Sequence, residues 1–181
     1  MKIAQRFWTS IFAFLLVLAF SLPTDALASH KQVTYQWLIG AQFIHGPVIS
    51  MNREGDTVEI TGEGTMTIRP KSITGGGTFV HKRSDGSIVG QGTWTAERLL
   101  SFRSFGNGVP QGAPENFEGG RAWIRVELTA TDGTEFDGLL KVECLLGDKI
   151  PKSAEEGVEL FVPGPNFRDN ISGETLFIRT D

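Results

Sequence analysis

The chain has 181 residues, with 17 Lys and Arg against 21 Asp and Glu, a net charge of −4 and a single cysteine. An acidic balance of this kind argues against nucleic acid or an anionic membrane surface as partner. One thiol excludes an intramolecular disulfide and any structural zinc site built from several cysteines.

Residues 1–28 read as an export signal. Lys2 and Arg6 precede the apolar run from Ile11 to Phe20, and Ala26-Leu27-Ala28 supplies the small-x-small pattern of a signal-peptidase site. The run is shorter than the roughly 20 residues a spanning helix needs. Leu22-Pro23 breaks a helix before the cut, which is placed between Ala28 and Ser29. The mature chain, 29–181, is then one domain without a membrane span, secreted or periplasmic. Losing Lys2, Arg6 and Asp25 leaves it more acidic still.

The mature chain is punctuated by many of its 22 glycines, set between short runs rich in Thr, Val, Ile and aromatic residues. That is the signature of strands joined by turns. Val33, Tyr35, Trp37 and Ile39 alternate with Thr34, Gln36 and Leu38. Val58 and Ile60 form a second alternating run, Met66 and Ile68 a third. Three stretches then share the pattern Gly-x-Gly-Thr followed by a large apolar residue: GEGTMTI from Gly62, GGGTFVH from Gly75 and GQGTWTA from Gly90. Phosphate-cradling glycines lead from a strand into a helix. These lead into strands, so they predict sheet packing and no nucleotide or other cofactor.

Asp85-Gly86 predicts a hairpin with a two-residue turn. That register sets His81 opposite Gly90, Phe79 opposite Gly92 and Trp94 opposite Gly77. Each ring would then lie across a bare backbone. Downstream, Gly106–Gly120 reads as a long loop, with Phe117 able to cover a mouth. Ala122, Ile124, Val126, Leu128 and Ala130 give the cleanest period-two run. A two-residue turn at Asp132-Gly133 would put this apolar face beside charged residues of the next strand. A three-residue loop, Thr131-Asp132-Gly133 with Gly133 left-handed, matches the faces instead. It pairs Leu128 with Phe136, Ile124 with Leu140 and Ala122 with Val142. Cys144 follows in an apolar run and reads as a buried, inert thiol. The C-terminal PGPNFRDNISG reads as a second loop. The pattern as a whole predicts an all-β chain of nine or ten strands. An antiparallel barrel is favoured, and a β-sandwich is the alternative.

Motifs for chemistry are sparse. There is no Gly-x-Ser-x-Gly elbow, no His-Glu-x-x-His and no pair of histidines at ligand spacing. The sequence therefore predicts no catalytic residue, no metal and no cofactor. Of the three histidines, His30 lies near the predicted new N-terminus and His45 beside a strand. His81 shares a strand face with Phe79. Trp37, Phe79, His81, Trp94 and Arg103 are the candidate ligand-binding residues: four rings expected on the inward face, and one guanidinium that could grip a carboxylate if it points inward.

The stretch GGGTFVHKRSDGSIVGQGTWTAERLLSFRSFGNG resembles a set of exported, mainly bacterial proteins of unassigned function. FEGG at Phe117, ECLLG at Glu143 and the terminal SGETLFIR are similar to the same pattern, which covers most of the mature chain. The resemblance implies export and a β architecture and carries no activity. At the level of fold the strand pattern is similar to lipocalin-like and allene-oxide-cyclase-like barrels, an analogy that does not fix a function. Three functions are compatible with the sequence. The first is a non-catalytic exported domain that binds a small apolar or amphipathic ligand in its interior. The second is a filled structural or surface-interaction module. The third is a cyclase- or isomerase-like enzyme that mainly orients its substrate.

Overall fold

The computed structural model describes residues 32–41 and 43–181. The expected signal segment, its cut after Ala28, and His30 lie outside the described residues. Eleven strands follow in chain order: β1 (Thr34–Ile39), β2 (Val48–Met51), β3 (Thr57–Ile68), β4 (Lys71–Lys82), β5 (Ile88–Asn107), β6 (Phe117–Ala130), β7 (Glu135–Cys144), β8 (Gly157–Phe161), β9 (Asn166–Phe167), β10 (Asp169–Ser172) and β11 (Thr175–Arg179). All pairings are antiparallel, so the chain is all-β as expected. Among the described residues no helix is long and apolar enough to cross a membrane.

The ladders close a ring of six strands in the order β3, β1, β11, β6, β5, β4 and back to β3. Two arms leave it. β2 and β10 extend from β3, and β7, β8 and β9 extend from β6. The arms meet where the Ser50 hydroxyl donates to the Val158 carbonyl at 2.6 Å. The fold thus has a closed ring, as a barrel has, and two facing arms, as a sandwich has.

The ring is held together around two indoles. Trp37 of β1 and Trp94 of β5 stack with centroids 5.6 Å apart. Their floor is glycine. Trp37 pairs with Gly64, which pairs with Gly75; Trp94 pairs with Gly77, which pairs with Gly62. A Cβ at Gly64 would lie 2.6 Å from Trp37 Cζ2, one at Gly75 would lie 2.8 Å from it, and one at Gly62 would run into Trp94. The Gly-x-Gly-Thr stretches therefore do serve packing, as expected, but on different partners. No atom lies within 4 Å of a Cβ built at Gly90, so His81 does not cover it. The rings reach across to β3 and the start of β4, because each indole is long enough to lie over glycines on neighbouring strands.

The β4–β5 hairpin keeps the expected partners of Gly77, Phe79 and His81 by a different route. Its loop has three residues, Ser84-Asp85-Gly86. Arg83 N–H bonds to the Ser87 carbonyl, and Gly86 is left-handed at φ 84°. The extra residue is offset by a register shift beyond His81, where Val89 bulges out. At the β6–β7 hairpin the three-residue loop is found as expected. Ala130 N–H bonds to the Thr134 carbonyl, Gly133 has φ 85°, and Leu128 faces Phe136.

Both expected loops are shorter than the composition suggests. β5 continues to Asn107 and β6 begins at Phe117, which leaves 108–116 and a single 3-10 turn at Val109–Gln111. The C-terminal stretch contains β9 and β10.

A row of alternating charge crosses the arm formed by β7 and β8. Arg121 bonds Glu143, Lys141 lies 2.7 Å from Glu143 and also bonds Glu159, and Arg168 lies 3.6 Å from Glu159. Glu143 is wholly buried and Lys141 nearly so. Removing one partner of such a set leaves a buried charge uncompensated.

Two outcomes are expected in urea denaturation. Gly64→Ala should lose about 3 kcal/mol, because its Cβ overlaps the Trp37 ring and the Thr74 carbonyl. Gly90→Ala, in the sister motif, should change stability by no more than about 0.5 kcal/mol. Equal losses would refute the glycine floor. Lys141→Met should cost about 3 kcal/mol by leaving Glu143 and Glu159 short of a cation.

Candidate functional site

Along β4 the inward positions run Gly75, Gly77, Phe79, His81. Where the glycines stop, the space between the ring and the β7–β8–β9 arm is no longer filled by indoles. A cleft of about 380 Å³ opens there. Phe79, Leu128 and Leu160 form its floor, and the same three side chains border a void of only about 10 Å³ above Trp94. That void is too small to admit a ligand. Val58, Phe136 and Phe167 make the walls, and exposed Val89 and Pro163 lie at the rim. Phe79 meets Phe136 edge to face at 6.2 Å.

Among the described residues, His81 is the only one lining the cleft with a hydrogen-bonding side chain. Its Nε2 lies 3.4 Å from Asp56 Oδ2, a long contact, and the ring stands edge-on to Phe167 at 5.1 Å. The other oxygen of Asp56 accepts the Ser84 N–H at 3.1 Å. The hairpin loop thereby fixes the carboxylate, and the carboxylate orients the imidazole. Val58 pairs with His81 across β3 and β4, which places Asp56 beside it.

The five candidate residues therefore part company. Phe79 and His81 line the cleft. Trp94 is buried beneath its floor, with Nε1 donating to the Thr61 carbonyl at 3.0 Å. Trp37 is buried in the same stack, and its Nε1 has no hydrogen-bond partner among the described residues. Arg103 is exposed on the outer face of the ring and does not reach the interior. The reason is the pleat: Phe102 turns inward against Tyr35 and Phe177, at 4.9 and 5.0 Å, and sends its neighbour outward. Leu160, Phe167 and Asp56 escape a reading of the sequence, and Phe136 is legible there only as the partner of Leu128. They come from distant elements, and Phe167 sits in a stretch whose prolines and glycines read as loop.

Besides a depression of about 440 Å³ that shares Val162 and Pro163 with the cleft, two others lie among the described residues. One, of about 750 Å³, lies among Asn52, Arg53, Glu155, Glu159 and Arg168, whose charges are of both signs and partly paired with each other. The other, of about 380 Å³, lies beside Phe43, Phe117 and Glu156. Burial pushes the Glu156 carboxyl up from its ordinary range, and it accepts bonds from Leu145 N–H, Thr175 N–H and the Thr175 hydroxyl at 2.7, 2.8 and 2.9 Å. This carboxyl clamps the end of β7 to the start of β11. Phe117 stacks on exposed Phe43 at 6.0 Å in this region, well away from the cleft at His81.

Among the described residues no group of three or more His, Cys, Asp and Glu side chains is placed to hold a metal ion. No hydroxyl or thiol among them is hydrogen-bonded to His81. What the cleft can do chemically is enclose apolar surface and offer one oriented imidazole. No family model, no curated protein and no solved structure matches the chain.

Cys144 is buried, and desolvation pushes its thiol up to about 12. Labelling with a disulfide reagent at pH 8 is expected to be about a thousandfold or more slower in the folded protein than in urea. Rapid stoichiometric labelling of the native chain would contradict the burial.

Proposed function

We propose that this protein is an exported, non-catalytic β-domain that binds a small apolar or amphipathic ligand. The binding place is the cleft between β4 and the β8–β9 arm, rather than the centre of the ring, where Trp37 and Trp94 fill the space. One observation carries the reading: about 380 Å³ of concave surface with Phe, Leu, Val and Pro walls and a single polar side chain. That volume and composition fall in the range of small-molecule sites. Burying a ligand there removes apolar surface from water on both sides, at roughly 25 cal/mol per Å².

Titration with the neutral dye N-phenyl-1-naphthylamine tests this. Fluorescence should rise with saturation in the native chain. It should be displaced by unlabelled apolar compounds and weaken about tenfold in Val162→Glu, which puts a charge at a half-buried position lining the cleft. Circular dichroism checks that the variant folds. No saturable binding across a broad apolar panel, or binding unaffected by Val162→Glu, would overturn the proposal.

A further inference from the structure

The polar end of the cleft carries information about the ligand's chemistry. Besides His81, every lining residue is Val, Leu, Phe or Pro. His81 turns Nε2 toward the Asp56 carboxylate. A carboxylate only accepts, so Nε2 carries the proton, and whenever the ring is uncharged a lone pair is left on Nδ1. Nδ1 has no hydrogen-bond partner among the described residues, and it is not a buried atom left unsatisfied. With the ring uncharged, the side chains lining the cleft thus offer an incoming molecule one acceptor and no donor.

We infer that the ligand is a neutral, largely apolar molecule whose single polar group is a hydrogen-bond donor. An alcohol or phenol hydroxyl, donating to His81 Nδ1, has the required chemistry. The inference rests on the cleft being a ligand site. Each alternative head group meets a specific penalty. A carboxylate would bring its charge beside Asp56 and find no donor. An ammonium would leave water for apolar walls with no anion lining the cleft, since Asp56 is already engaged by His81 and the Ser84 N–H. An ether or ester would place acceptor against acceptor.

The test uses four straight-chain probes of similar size: 1-octanol, methyl heptyl ether, octanoate and octylammonium. Their binding is measured by calorimetry to the native chain and to His81→Phe at pH 8, where an ordinary imidazole is neutral. In the native chain octanol should bind about fivefold tighter than the ether, the worth of one ordinary hydrogen bond, and tighter than either ion. In His81→Phe the alcohol and the ether should bind alike. Octanol and ether binding alike in the native chain would overturn this inference and leave the ligand site standing, and so would preference for either ion. These comparisons need no variant and hold even if His81→Phe fails to fold. Binding of none of the four, together with failure of the dye, would overturn the ligand site itself and this inference with it.

Discussion

The stacked pair Trp37 and Trp94 is the interaction on which the rest of the fold depends. A ring of six strands encloses little volume, and two indoles occupy it at one level. They can do so because Gly62, Gly64, Gly75 and Gly77 leave the facing backbones of β3 and β4 bare. Two large flat surfaces occupy the space that side chains at Gly62, Gly64 and Gly75 would need. That arrangement favours close packing over a hollow interior. It also fixes where the packing ends. Along the inward face of β4, glycine gives way to Phe79 and then to His81. At that step the wall becomes bulky and the opposing β8–β9 arm stands off. The cleft is thus a consequence of the order of residues on one strand face.

The outer arms are attached by polar contacts as well as apolar ones. Glu143, fully buried, is met by both Arg121 and Lys141, and Lys141 is shared with Glu159. The alternation follows the cross-strand register: Arg121 opposite Glu143 on β7, Lys141 opposite Glu159 on β8. Burying any one of these charges alone would be costly, so a change of register that separated them would be penalised. At the far side of the ring, Glu118 gathers the Tyr35 and Ser104 hydroxyls at 2.9 Å each. Burial and this carboxylate together hold the Tyr35 hydroxyl protonated, its pKa raised well beyond the ordinary range.

What could be read from the sequence was whatever the period of two controls. The β6–β7 register was legible because a two-residue loop mismatches the faces, and the three-residue loop is the preferred one that brings Leu128, Ile124 and Ala122 against apolar partners. The β4–β5 hairpin was legible in its strand partners and not in its turn, since the bulge at Val89 compensates a longer loop without leaving a trace in the pattern. In β5 the register against β6 shifts three times, between Ala96 and Arg98, Leu99 and Ser101, and Ser104 and Gly106. Inward positions there cease to follow alternation. Phe79 and His81 were recognisable as neighbours on a face. Their depth relative to Trp94 was not, because depth depends on how far β4 slides along β3. Asp56 and Phe167 reach the site through pairings between segments distant in the chain, which no local pattern encodes.

A histidine oriented by an aspartate can serve as a base or as a binding group. The two uses differ in what else surrounds the ring. A base acting on a bound substrate needs donors aimed at developing charge, or a nucleophile within hydrogen-bond reach. The groups around His81 are the Phe167 ring, the Phe79 side chain two residues back on the same face and the aliphatic side chains of the cleft, together with Asp56, which faces its Nε2. The Phe, Val, Leu and Pro side chains among these carry no hydrogen-bond donor. They do surround the remaining acceptor with apolar walls, and a bound ligand that covers it must either donate to it or leave it unpaired. On the proposed reading, the residues of this arrangement serve binding selectivity.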